Sequence, residues 1–165
     1  IRQISEMKVD VPMLAMTHCD ASKLAKQHGA KSEFALCASQ WHKTLTYKDK
    51  FFGDGIKYDK DFTKAYGYAP PYQAAESSAA LLVFKDAFER ANSFDTKKVR
   101  DALAKTEMQT FYGNIKFGSG GQNTAKPMVL FQVMCKSGKC ENVVVAPTKW
   151  AAAELIHPIP PWSKR

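Results

Sequence analysis

The spacing of apolar positions changes period several times along the chain, and each change marks an element. Ile1, Ile4 and Met7 fall at helical spacing, and Val9 to Val11 with Pro12 then read as a helix end and the approach to a strand. The opening of that helix is missing, which predicts a chain that begins inside a larger protein. PMLAM, residues 12–16, is a continuous apolar run and predicts a buried strand. ASKLAKQH returns to helical spacing, with Asp20 or Ser22 as N-cap and Gly29 as a left-handed terminator. EFALCA, residues 33–38, is the next strand. Strand, helix, strand is a βαβ unit, so the expected class is α/β, with a parallel sheet flanked by helices.

Between Ser39 and Gly55 the pattern has no clean period, yet the density of aromatic residues is too high for a solvated linker. This stretch must pack on something. Helical spacing resumes from Ile56 to Tyr66 and stops at Gly67. The long segment that follows places Ala75, Ala79, Leu82, Val83 and Phe84 in register, a helix rich in small residues on one side. Asp95 is the expected N-cap of a shorter helix whose inward stripe is Val99, Ala102 and Leu103. Extended structure returns near Thr110, and residues 108–133 predict a strand, a glycine-rich turn and a second strand. The tail contains one helical turn and then Pro158, Pro160 and Pro161, which forbid a central strand and favour extended geometry along a surface.

Length and composition narrow the classes. A chain of 165 residues can bury roughly 70% of its unfolded surface, and no apolar run approaches the roughly 18 residues that cross a bilayer. No charged and apolar leader opens the chain, so an export signal would lie outside these residues. The net charge of +8 raises nucleic acid as a partner. Its distribution argues against one, because no run of Lys or Arg exceeds two and the aromatics are not interleaved with basic residues.

Cys135 and Cys140 flank KSGK between two apolar strands, so a disulfide across that turn is geometrically plausible and would stabilise by about 2 kcal/mol. It would also imply an oxidising compartment. The same pair could supply two of four zinc ligands, but Cys19 and Cys37 have no close-spaced partner and a four-cysteine metal module fits poorly. His18 beside Cys19 does not make a catalytic pair, since adjacent residues rarely point at each other as a thiolate and its base must. Glu76, one turn after Tyr72, reads as a solvated or capping carboxylate. No paired-carboxylate, phosphate-loop or metal constellation is present in the pattern, so the expected protein is not an enzyme and carries no cofactor.

QWHKTLTYKDKFFG, then YGYAPPYQAAESSAAL, then VRDALAKTEMQTFYGNIKFGSGGQNTAKPM resemble, in this order and spacing, the C-terminal half of the type I periplasmic solute-binding proteins of ABC importers, in the branched-chain amino acid (Leu/Ile/Val) class. The resemblance implies two α/β lobes joined by three crossovers with the ligand between them. Residues 1–40 would then belong to the second lobe, 41–55 to a crossover, 56–107 to helices of the first lobe, and 108–165 to the return and the tail.

It further implies a periplasmic protein that captures a small polar solute, such as an amino acid, and delivers it to a membrane permease. The same fold used as a sensor domain is the alternative, and an ending at PPWSKR without a membrane segment leans toward transport. Thr17 and His18 stand where the family places an acid for the ligand ammonium, which puts α-amino acid specificity in doubt. Trp41 and His42 match the second crossover. Tyr72 and Gln73 match an aromatic wall at the start of the long helix.

Overall fold

A computed structural model describes residues 1–17, 19 and 21–164, with the side chains of residues 21, 22 and 25 excepted. In chain order the elements are α1 (Arg2–Glu6), β1 (Ala15–Thr17), α2 (Ala21–His28), β2 (Leu36–Ser39), β3 (Lys48–Asp49) and β4 (Gly53–Asp54). There follow α3 (Gly55–Tyr66), α4 (Tyr72–Ala91), α5 (Thr96–Leu103), β5 (Glu107–Thr110), β6 (Gly113–Lys116), β7 (Val129–Lys136) and β8 (Lys139–Ala146). They gather into two compact units, one of residues 1–40 with 128–165 and one of residues 41–127.

The first unit is built on a four-stranded sheet in the order β1, β2, β7, β8. The expected βαβ unit is present, with β1 and β2 parallel across α2, but the sheet is mixed and not wholly parallel: β2 pairs antiparallel with β7, and β7 with β8. The turn between β7 and β8 explains the second of these pairings. Ser137 and Gly138 both take positive φ, 51° and 78°, the geometry of a two-residue hairpin turn whose twist matches its strands. Such a turn joins antiparallel neighbours only.

β1 is shorter and more exposed than the apolar run PMLAM predicts. It spans three residues at the sheet edge, and Met13 remains 46% exposed, because an edge strand has a neighbour on one side only. α1 forms near the expected spacing of Ile1, Ile4 and Met7, yet it contains no buried residue. Gly29 does take the left-handed conformation, at φ 58°, while Asp20 and the Ser22 side chain, the alternative caps of α2, lie outside what is described.

Buried at the centre of this unit is a polar residue. Gln132 of β7 has no exposed surface; its Nε2 donates to the carbonyls of Phe34 and Ile156 at 3.2 and 3.0 Å, and its Oε1 accepts the Ile156 N–H at 2.9 Å. These bonds tie the proline-rich tail to the sheet. Further along, the Ile159 N–H donates to the Pro12 carbonyl, and Trp162 donates through its backbone to Asp10 and through Nε1 to the Val9 carbonyl.

In the second unit, α3 begins at its cap Asp54, whose carboxylate accepts the Lys57 N–H at 2.8 Å, and ends at Gly67 in the left-handed conformation. α4 buries Ala75, Ala79, Leu82, Val83 and Ala87. Phe84 was expected on this face and is instead 46% exposed, because nine residues at 100° each place it half a turn away from Ala75. α5 starts at Asp95, which accepts the Lys98 N–H, and packs Val99 and Ala102 on Ala87 with Phe88, Ala91 and Leu103 around them. Arg90 locks the pair: its guanidinium donates to the Ala102 carbonyl and Thr106 Oγ1 while holding Asp86. A cation there also compensates the negative end of α5.

The segment from residue 108 onward differs from a single strand. It is a hairpin, β5 with β6, whose turn is Phe111 and Tyr112, and the Gly113 N–H donates to Thr110 Oγ1 across it. The glycine-rich stretch then folds back on β6 through a bridge between Phe117 and Asn123. Both features lie in the helical unit.

Replacing Gln132 with Leu keeps the volume but removes all three bonds, leaving the backbone groups of Phe34 and Ile156 without them. The expected loss is about 2–4 kcal/mol, read as a lower urea midpoint with unchanged slope. A variant as stable as the parent would show that water replaces the side chain at no cost.

Candidate functional site

Most of the residues proposed from the sequence belong to the helical unit, and its aromatic centre positions them. Phe111 is fully buried; its ring stacks on Tyr58 at 4.2 Å and meets Phe52 and Trp41 edge-on at 5.1 and 6.1 Å. Tyr58 is held from the other side by a 2.9 Å hydrogen bond between its hydroxyl and Ser78 Oγ of α4. The aromatic stretch after Ser39 therefore packs, as its composition requires, on this centre.

The backbone around these rings converges on one carboxylate. Asp49 Oδ1 accepts the N–H groups of Phe51 and Phe52, each at 2.8 Å, and Oδ2 accepts the Phe111 N–H at 2.7 Å. Charge-assisted bonds of this kind are about twice as strong as neutral ones. They join residues 62 positions apart in sequence.

Trp41 is 5% exposed, with Tyr58 5.8 Å from its ring. It is a packing residue of the cluster. His42 beside it is half-buried, and its Nδ1 lies 2.8 Å from Thr44 Oγ1 and accepts the Thr44 N–H at 3.4 Å. Desolvation by burial, helped by Lys43 and opposed by Asp59, pushes the imidazole pKa down to about 4, so the ring is neutral near pH 7.

Tyr72 opens α4 half-buried, and Gln73 next to it is exposed. The structure adds partners that the sequence reading missed. Tyr112, in the β5–β6 turn, is buried, and burial, with smaller contributions from Glu76 and Tyr72, pushes its phenol well above the usual range. Over its face lies Lys126, with Nζ 4.2 Å from the ring centroid. Burial pulls the Lys126 ammonium down to about 8, against the opposing pull of Glu76. Tyr72, Glu76, Tyr112 and Lys126 thus form one electrostatic group.

Gly113 makes this arrangement possible. Its φ of 151° suits glycine, and a Cβ at this position would lie 2.2 Å from Lys126 Cδ. The glycine following FY and the lysine after the glycine-rich turn were the available signals, but nothing in their spacing, 13 residues apart, announces contact.

In the sheet unit, Thr17 ends β1 and is exposed, while His18 lies outside the described residues. Cys135 and Cys140 face each other across β7 and β8 and are bonded, and Cys19 is bonded to Cys37, a pairing the sequence left open. Among the described residues, no group of three His, Cys, Asp or Glu side chains could hold a metal ion. No helix of the described residues is long and apolar enough to cross a membrane.

Two outcomes follow from this packing. Trp41→Ala should cost about 3–5 kcal/mol of stability through the cavity it opens, seen in chemical denaturation; a cost below 1 kcal/mol would mean the cluster does not need the indole. Because the folded His42 takes up its proton only near pH 4 and an unfolded one near 6.5, the unfolded state gains protons first as pH falls. Stability should therefore drop between about pH 6.5 and 4 by on the order of 3 kcal/mol. His42→Gln should flatten that part of the stability profile, and an unchanged profile would contradict the neutral assignment.

Comparison with known proteins places this geometry. The periplasmic binding protein family model matches residues 1–139. A leucine-binding protein, LivK, from Thermotoga maritima aligns with a TM-score of 0.66 and 22% identity over 90% of this chain and 43% of its own. A putative branched-chain amino acid ABC transporter protein from Silicibacter pomeroyi aligns at 0.70 and 18% identity, over 98% of this chain and 43% of its own. LivJ from Streptococcus pneumoniae, solved in complex with isoleucine, gives 0.65 and 16% over 88% of this chain and 40% of its own. The chain therefore spans about two fifths of these proteins, and the likeness extends to the fold, a mixed sheet with flanking helices. With the family model matching most of its length, the chain belongs to the periplasmic binding protein family.

Proposed function

We propose that this chain is part of the solute-binding component of an ABC importer, acting outside the cytoplasm, in the periplasm, and handing a small polar solute to a membrane permease. The family match over residues 1–139 carries the reading. Two of the similar structures are described as a leucine-binding protein and as a complex with isoleucine, which makes amino acids and related compounds the first solutes to test. Such a protein binds and releases its solute unchanged.

Within the helical unit, Tyr72 is the best-supported contact. It is half-buried at the first turn of a 20-residue helix, next to Tyr112, where a ring can shield one side of a solute and still be reached. An aromatic wall buries a large area with little loss of side-chain freedom. Trp41 is better supported as a packing residue of the aromatic cluster than as a direct contact, given its burial against Tyr58 and Phe111.

Calorimetry on the full-length protein with leucine and isoleucine tests this. Tyr72→Ala should weaken binding about ten- to a hundredfold, or on the order of 1–3 kcal/mol, while Lys97→Ala, altering an exposed residue of α5, should leave it unchanged. Equal affinity of the Tyr72→Ala variant and the parent would remove Tyr72 from the site.

A further inference from the structure

We propose that the Cys135–Cys140 disulfide is a reversible thiol–disulfide exchange site for a dithiol reductant, whereas Cys19–Cys37 is a closed structural bond. The inference concerns the sheet unit alone and does not depend on the solute reading. Access to the sulfurs, the kind of rung they occupy and what that rung supports carry it.

Access separates the two disulfides. Cys37 has no exposed surface, and its strand, β2, lies between β1 and β7. Cys135 and Cys140 are half-buried, one rung from a turn, residues 136–139, that is exposed throughout. β2 pairs with β7 over Val129–Gln132, so the disulfide stands beyond that pairing, on the ribbon of β7 and β8. A thiolate attacks a disulfide sulfur in line with the S–S bond, from the side away from the leaving sulfur. Toward Cys135 that line comes from the β2 side, where the Glu33 carboxylate accepts the Cys135 N–H. Toward Cys140 it comes from beyond β8, the last strand of the sheet. Cys140 Sγ is therefore the atom attacked, and Cys135 supplies the leaving thiolate.

The rung makes the exchange reversible. Ser137 and Gly138 form the turn, Lys136 and Lys139 the first pair, and Cys135 and Cys140 the second. The Cys135 N–H donates to Glu33 Oε1 at 3.2 Å, away from β8, which marks this rung as one that the backbone does not bond. Side chains approach most closely across such a rung, so the two thiols stay opposed once the bond is broken and can close again. The turn persists meanwhile, because its geometry is local to Ser137 and Gly138. Lys136 and Lys139 face each other on the adjacent rung, a like-charge pair that the disulfide holds together. Its reduction loosens the tip and the Cys135 contact with Glu33, while the bonds of Gln132 to Phe34 and Ile156 hold the base of the ribbon.

One thiolate of the reductant bonds to Cys140 Sγ, the S–S bond breaks, and the Cys135 sulfur leaves with the electron pair and takes a proton from water. The second thiol of the reductant, once deprotonated, attacks the reductant's first sulfur, and Cys140 leaves as a thiolate that is protonated in turn. Two electrons and two protons pass to the protein, and the dithiol becomes a disulfide.

For the test, the full-length protein is equilibrated with graded ratios of reduced to oxidised dithiothreitol, quenched with N-ethylmaleimide and read by peptide mass spectrometry. Cys135 and Cys140 should be labelled at a ratio about tenfold or more below the one that opens Cys19–Cys37, and excess oxidised dithiothreitol should abolish the labelling. With glutathione, a monothiol, the quenched mixed disulfide should sit on Cys140. Amide exchange of the selectively reduced protein should quicken about tenfold or more at Cys135, with Gln132 keeping its parental protection. Opening of both disulfides together, or of Cys19–Cys37 first, would overturn the proposal, as would labelling of Cys135 and Cys140 that oxidised dithiothreitol cannot reverse. Glutathione on Cys135 would contradict the direction of attack, and unchanged exchange at Cys135 would refute the link from the disulfide to Glu33.

Discussion

The helical unit depends on a carboxylate with three backbone partners. Asp49 accepts the N–H groups of Phe51, Phe52 and Phe111, so a short two-stranded turn early in the unit and the tip of a hairpin late in it share one anchor. Each of these donors would otherwise have to find water or another acceptor beside an aromatic cluster. Phe111, fixed by that bond, completes the cluster with Trp41, Phe52 and Tyr58. The hydroxyl of Tyr58 then reaches Ser78 and ties the cluster to α4.

That anchoring has a consequence one residue later. Phe111 and Tyr112 form the turn between β5 and β6; the first belongs to the aromatic cluster and the second supports Lys126 near the start of α4. A polar bond in the backbone thereby sets the position of this lysine without touching it. The sheet unit uses a similar device, with Gln132 in place of Asp49: a buried side chain satisfies backbone groups of Phe34 and Ile156, which lie far apart in sequence. In both units apolar contacts supply the bulk of the burial, and one satisfied polar residue makes a particular arrangement of loops the favourable one.

Local rules explain which parts were legible in advance. Asp95 and Gly67 act as expected because a cap or a left-handed terminator depends on its own few residues. The βαβ unit was readable for the same reason, and the KSGK turn marked the β7–β8 hairpin. What failed depended on neighbours distant in the chain. PMLAM is apolar throughout, yet its strand lies at an edge, and only the sheet order decides that. Phe84 lies outward, as helical geometry already requires, although its apolar character points inward. The sequence predicts one strand where residues 107–116 form a hairpin, because its turn is made of Phe111 and Tyr112, residues with strand preference, held by Thr110, Gly113 and the distant Asp49. For the site, a likeness to the family singled out Tyr72, whereas Lys126 and Tyr112 required the fold to bring them together.

The most direct test of this account is amide hydrogen exchange in Asp49→Ala, read residue by residue. The Asp49 anchor predicts that the Phe111 amide loses most of its protection while amides in the middle of α5, such as Val99, keep theirs, and that the Tyr112 ring signals move with the loss. Parental protection at Phe111, with an unmoved Tyr112 ring, would contradict the claim that this carboxylate holds the hairpin and the groups it carries.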